Sequence, residues 1–160
     1  MKTPKLARVA DAIVSAINAE ITWGVDFRAE RSYADFDDQL HELNSVRVDV
    51  VPQFAPTLEM DTRATNGWEM FVDVGVRKRF QVDEIDATSG RLRVDAIDEL
   101  VGLVERFAEF FTAERFTALN DIGAVWIENQ IPAAYVRDHL REWSQFTAFV
   151  RIKFSLHTTF

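Results

Sequence analysis

The feature that most constrains the fold of this sequence is a strictly alternating segment, SQFTAFVRIKFSLHTTF, at residues 144–160. Large apolar residues occupy every second position there for about a dozen residues, which is the period of a β-strand with one buried and one exposed face. Such a strand requires a sheet in which to pair and an apolar layer that covers its buried face. The predicted buried face comprises Phe146, Ala148, Val150, Ile152, Phe154 and Leu156.

Four further segments predict the other strands of that sheet. GWEMFVDVGVRKRF, at 67–80, alternates almost as regularly and predicts a second long strand. VRVDVVP, at 46–52, predicts a short strand that Pro52 ends, because proline cannot donate to a sheet ladder. VDFRAERSY, at 25–33, and GAVWIEN, at 123–129, predict two more short strands.

Two segments carry the apolar spacing of amphipathic helices. The first, LARVADAIVSAINAEI at 6–21, repeats apolar residues at steps of three and four and is expected to end near Gly24. The second lies at 94–111. Its apolar line is Val94, Ile97, Val101, Val104, Ala108 and Phe111, and its opposite face is Asp95, Asp98, Gly102, Glu105 and Glu109. Leu100, Phe107 and Phe110 widen the apolar stripe, so we expect the protein to cover most of this helix.

The resulting element order, α-β-β-β-α-β-β, predicts a two-layer α+β fold with a mostly antiparallel sheet and both helices packed on one face. The segment between the last two strands, IPAAYVRDHLREW at 131–143, is expected to be a loop with some helical turns. A chain of 160 residues has the size of one domain, so we expect a single domain at 1–160.

The composition argues against several classes of function. Asp and Glu outnumber Lys and Arg by 26 to 18, and the net charge of -8 disfavours a protein that grips nucleic acid through its phosphates. The chain has no cysteine, which excludes a disulfide scaffold, a thiolate metal site and a cysteine nucleophile. No apolar run has the length of a membrane helix, and Arg8 and Asp11 interrupt the first apolar stretch, unlike in a signal peptide. We therefore expect a soluble, acidic, intracellular domain.

The residues that commonly carry catalysis or bind metals are scattered along the chain. His139 and Glu142 could share a helical face, but no further histidine completes a metal set, so a surface helix is expected. DFDDQLHE, at 35–42, lacks the glycine and the spacing of a calcium loop and is expected to be a solvated acidic loop. The basic triplet at 77–79 is expected to solvate a strand end. The sequence thus predicts no catalytic residue, no cofactor and no metal.

Four parts of the chain, taken in order, resemble a known family. They are the helix LARVADAIVSAINAEI; the strand VRVDVVPQ followed by a long connection and the long strand WEMFVDVGVRKRF; the helix AIDELVGLVERFAEFF; and the closing AYVRDHLREWSQFTAFVRIKFSLHT. This arrangement resembles the tail terminator (tail completion) proteins of long-tailed bacteriophages and their prophages. The resemblance spans nearly the whole chain and rests on element order and pattern, with no signature motif.

The resemblance implies a structural protein without catalytic residues or cofactors. Members of that family form a ring, usually of six subunits, that caps the tail tube, ends its polymerisation and joins the tail to the head-side connector. The implied partners are further copies of the chain, the tail tube protein and the head–tail connector or stopper protein. DNA would pass through the ring without specific binding, which an acidic lumen favours. The implied location is the virion, after assembly in the host cytoplasm.

Some apolar residues fall outside the predicted core and are candidates for a subunit or partner interface. The connection QFAPTLEMDTRATN, at 53–66, has no core-facing period, so we expect it to order against a neighbour or against the domain's own core. A second connection, at 81–92, is a further candidate surface. Two phenylalanines of the long strands are out of phase with the buried faces. The candidate interface residues are Phe54, Leu58, Met60, Phe71 and Phe149.

Two other functions are compatible with the sequence. Within the same class, the chain could be a head-completion or other neck protein, or a tube subunit. From a different class, it could be a small acidic ligand-binding or hydrolytic α+β domain with a site built from scattered residues. An assembly protein should form oligomers or associate with particles, whereas a ligand-binding domain should be a monomer with a concave pocket.

Overall fold

The structure is a computed structural model that describes residues 3–33, 35–42, 45–60, 65–112, 119 and 122–159. Within these ranges, the side chains of 54–60, 65–67 and 157–159 are not described. No helix of these ranges is both long and apolar enough to cross a membrane. The elements are α1 Lys5–Ala19, β1 Ala29–Arg31, β2 Arg47–Met60, β3 Thr65–Arg79, a 3-10 helix Val82–Glu84, α2 Val94–Phe110, β4 Ala124–Ala133, α3 Arg137–Trp143 and β5 Gln145–Thr159.

The five strands form one sheet in the order β1-β2-β3-β5-β4. The short β1 is parallel to β2, and all other pairs are antiparallel. The predicted α+β class is therefore confirmed, although the element order differs because α3 forms between the last two strands. The closing strand β5 lies inside the sheet, paired with β3 from Gln145 to Thr159 and with β4 on its other side. This central position explains why the alternation at the end of the sequence is so long and regular.

Both long helices pack on one face of the sheet, as the sequence predicted. Side chains of α1 such as Ile13, and of α2 such as Phe107, belong to the same buried cluster as the inward-facing residues of β2, β3 and β5. On β5 that face includes Val150, Ile152 and Phe154, all fully buried. The alternation therefore identified the buried face of the closing strand correctly.

The limits of the helices differ from the prediction. Helix α1 ends at Ala19, and Ile21, which the periodicity placed in the apolar stripe, is 92% exposed. In α2 the buried line runs through Leu100 and Phe107, while Val94 is 72% exposed. The apolar stripe of α2 is wide, so the sequence pattern alone allows more than one orientation of the helix on the sheet. In the observed orientation the Phe107 ring packs against the Trp23 ring, with 4.6 Å between centroids.

The prediction that Pro52 ends its strand is wrong, and in the predicted loop at 53–66 the described residues, 53–60 and 65–66, lie in strands. Strand β2 continues to Met60 in pairing with β3, with an irregular register between Gln53 and Thr57. The N–H of Ser32 donates to the carbonyl of Val50 at 3.0 Å, so the backbone groups of Val50 face β1. Pro52, two residues later, faces the same side but lies beyond the end of β1, where its missing N–H breaks no ladder bond.

Candidate interface on the polar sheet face

The sheet has a second face, opposite the helices, that carries charged and aromatic side chains. On β3 these are the residues that alternate with the core, among them Asp73, Gly75 and Arg77. On β5 they include Phe149 and Arg151. One part of this face is covered by the chain itself, and another part is open.

The covering segment, residues 35–42, is termed the strap. Its Phe36 is buried over Gly75, and a Cβ atom on Gly75 would overlap the Phe36 ring. Gly75 lies opposite Phe149 in the β3–β5 pair, and the Phe36 and Phe149 rings stack with centroids 5.7 Å apart and an interplanar angle of 25°. The glycine therefore leaves the space in which the strap is seated.

Charged groups lie buried beneath the strap. The Arg77 side chain, 1% exposed, donates to the Asp49 carboxylate at 2.9 Å and also contacts the Asp38 carboxylate. The exposed Arg47 donates to the same Asp49 oxygen at 3.0 Å. Arg77 Nε has no hydrogen-bond partner in the described part of the chain. A buried arginine is costly to leave unpaired. Asp49 pairs with Arg77 within the sheet, and Asp38 is the carboxylate that ties the strap to it.

An amide side chain of β5 adds a second attachment. Gln145 accepts from the N–H of Leu40 at 2.7 Å and donates to the carbonyl of Asp38 at 3.1 Å. The acidic side chains of this segment, Asp35, Asp37, Asp38 and Glu42, are exposed to solvent as predicted, but the segment also covers the sheet, because Phe36 and Leu40 are buried. The basic triplet predicted to solvate a strand end is paired within the chain: beside the buried Arg77, Lys78 contacts Glu84 at 2.7 Å and Arg79 donates to the Leu40 carbonyl.

The open part of the face is centred on Arg151. Its guanidinium donates two hydrogen bonds to the Asp73 carboxylate, at 2.9 and 3.0 Å, and lies 5.5 Å from the centroid of Phe71 and 5.7 Å from that of Phe149. Phe71, Asp73, Phe149 and Arg151 are termed the arginine ladder. The Asp73 side chain is buried, whereas that of Arg151 is 34% exposed. The buried Asp73 carboxylate therefore fixes the Arg151 side chain, while the guanidinium remains accessible from solvent.

This arrangement favours the charged form of Arg151. The hydrogen bonds to Asp73 raise the pKa of Arg151 above its ordinary value, against partial burial, which lowers it, and the negative charge of Asp73 raises it further. The guanidinium thus presents a fixed positive charge between two aromatic rings. Arginine and aromatic side chains are the types enriched where proteins bind one another.

The structure describes the side chains of two of the five residues that the sequence predicted for an interface. Phe71 and Phe149 lie on the polar face, as their phase predicted, and both contact the same guanidinium. The side chains of Phe54, Leu58 and Met60 lie outside the described residues, so their expected contacts stay a prediction. The Asp73–Arg151 pair was missed, although opposite charges at out-of-phase positions of two long strands were a usable signal.

His139 does not lie on a helix surface as predicted. It is buried, its Nδ1 is 2.8 Å from the Thr147 hydroxyl, and its ring stacks on Trp143 at 4.4 Å. The contact with Thr147 attaches α3 to β5, whereas Trp143 lies in α3 itself and Glu142 lies near Arg141. Across the described ranges no three His, Asp or Glu side chains are arranged to hold a metal ion.

A second open surface occurs at one edge of the sheet. Strand β4 forms that edge, and its Val125 is 52% exposed, with Ile127 and Ile131 also exposed. Exposed apolar residues on an edge strand favour association with another chain.

The sequence matches no model of a known protein family, and no curated protein is significantly similar to it.

Proposed function

We propose that this chain is a structural, ring-forming protein of the tail-terminator kind, which caps a phage tail tube, ends its polymerisation and joins the tail to the head-side connector. The observation that carries the proposal is the arginine ladder. Arg151 and the two phenylalanines form a half-open patch whose charged member is already immobilised by Asp73. A patch that is ordered before binding loses little side-chain entropy when a partner covers it.

Two further features support assembly. A ring requires two unlike patches on each subunit, because each copy contacts its neighbours head to tail. The ladder lies on the polar sheet face, and the apolar residues of β4 lie at a sheet edge. The net charge of -8 suits a ring that DNA traverses without specific binding, in a virion assembled in the host cytoplasm.

The test is assembly of the purified protein, alone over a range of concentrations and with tail tubes made from the tube protein of the same genome. Native mass spectrometry and negative-stain microscopy should detect rings, six-membered by the family resemblance, at high protein concentration or at tube ends. A protein that neither forms rings nor binds tube ends would contradict the proposal. Binding to head-side connector complexes without binding to tubes would indicate another neck protein.

A further inference from the structure

A cleft of about 460 Å³ lies where β3 ends and β5 begins, between the segment 81–92 and α3. Its walls include the apolar side chains of Leu92, Ile97 and Leu140. Three arginines, Arg91, Arg137 and Arg141, also line it, and no acidic residue of the described ranges does. We refer to it as the arginine cleft.

Both walls of the arginine cleft are fixed by hydrogen bonds. In the segment 81–92, the carboxylate of Asp86 accepts from the N–H groups of Thr88 and Ser89, and Ile85 forms a β-bridge with Leu92. On the other side, α3 is attached by the contact of His139 with Thr147. A cleft with rigid walls is ready to bind without prior rearrangement.

The arginine cleft is a positive region on an acidic protein. Arg141 contacts Asp138 at 3.2 Å and Glu142 at 3.5 Å, but all three side chains are well exposed, so these pairs are weak. Arg91 and Arg137 make no ion pair with any carboxylate of the described ranges. Guanidinium groups around apolar walls suit carboxylates carried on an ordered surface.

The chain itself carries such a surface. Asp98, Glu105 and Glu109 follow one another along a single exposed line of α2, and we call them the acidic row. Within the described ranges none of the three makes an ion pair. At the rise of an α-helix, Glu109 lies about 18 Å along the axis from Ile97, which lines the cleft, so the far end of the row cannot enter the cleft of its own copy.

We propose that the arginine cleft of one copy binds the acidic row of a second copy. Cleft and row are unlike patches, so the contact runs head to tail and is of the kind that closes into rings. The inference rests on the proposed ring-forming function and adds one pair of charged surfaces to the contact between neighbouring subunits, beside the arginine ladder and the edge of β4. Opposite charges across the contact favour this partner and register over others.

Two charge-reversal variants test the contact by native mass spectrometry and analytical ultracentrifugation. The cleft variant carries Arg91→Glu and Arg137→Glu, and the row variant carries Glu105→Arg and Glu109→Arg. Each alone should weaken self-association by about a hundredfold, because like charges then face each other across the contact. An equimolar mixture should restore association, since each interface then joins opposite charges. A control with Lys5→Glu and Arg8→Glu, on α1, should associate like the wild type.

Circular dichroism and thermal melts should show that all variants fold. If the cleft variant associates as tightly as the wild type, or if the mixture fails to restore association, the inference is overturned while rings of the wild type would still support the proposed function. Association that depends on cleft and row but never gives rings or binds tube ends would support the inference and overturn the ring function. A wild-type chain that remains monomeric in all conditions would overturn both.

Discussion

The ring of Phe36 occupies the position that a side chain on Gly75 would take, so the strap is seated against the backbone of β3. Phe36 is itself confined, because Phe149 stacks on one side and the Arg77 guanidinium lies 5.6 Å from its ring centroid. The ring cannot move aside without losing these contacts. Gly75 thus lets the strap fit closely against the sheet, in addition to the ion pair of Asp38 with Arg77.

Gly75→Ala should therefore destabilise the protein by about 1–3 kcal/mol, the usual cost of forcing atoms into a packed site. Gly102→Ala is the matched control, because its added Cβ would meet only the end of Arg106 at 3.5 Å, an ordinary contact, within a helix that favours alanine. Chemical denaturation measures both, and limited proteolysis within 35–42 reports release of the strap. In a Phe36→Ala background the Gly75→Ala cost should largely disappear, and an undiminished cost there would contradict the steric explanation.

The two faces of β5 should respond differently to truncation. Ile152→Ala removes a fully buried side chain beneath the helices and should cost about 2–5 kcal/mol. Phe149→Ala removes a half-buried ring whose contacts are the Phe36 stack and the Arg151 guanidinium, and should cost about 1–2 kcal/mol. Urea denaturation compares the two. Equal losses would mean that the polar face is as fully covered as the helix face.

The Asp73–Arg151 pair should contribute to stability by an amount that does not change between neutral and alkaline pH. The pKa of Arg151 is raised in the folded protein. The charge of Arg151 therefore stabilises the fold at every pH below the ordinary arginine pKa, and this stabilisation is lost only as the pH rises through the raised pKa. Arg151→Ala should cost about 1–3 kcal/mol, because Asp73 remains buried without its donor. Lys153→Ala, which removes a 3.5 Å contact with the half-exposed Glu69, should cost less than about 1 kcal/mol. Denaturation at pH values between about 7 and 10 checks the constant difference, and a cost that falls with pH would contradict it.

The parts of the fold that the sequence predicted are those in which burial repeats with a regular period. Alternation identified β5 and its buried Ile152, and the same period placed Phe71 and Phe149 on the opposite face. The strap left no such pattern, because it is held by single polar contacts between distant residues such as Asp38 with Arg77 and Leu40 with Gln145. The prediction that Pro52 ends its strand failed for a related reason. Whether the missing N–H of Pro52 breaks a ladder hydrogen bond depends on where β1 ends, and no local sequence pattern encodes that position.

The arginine ladder should matter more for assembly than for the stability of the single chain. Phe71 is half-buried, and its ring is in contact with Arg151 and lies 5.9 Å from the Lys153 ammonium, so Phe71→Ala should cost the monomer about 1 kcal/mol or less. If a partner covers the ladder, the same change should weaken ring formation or binding to tail tubes by about tenfold or more, as expected for an aromatic at the centre of an interface. Tyr135→Ala, at an exposed aromatic beyond the end of β4, is the matched control and should assemble normally. Sedimentation and tube-binding assays measure both variants. Normal assembly by Phe71→Ala would exclude the ladder from the interface and remove the main support for the ring.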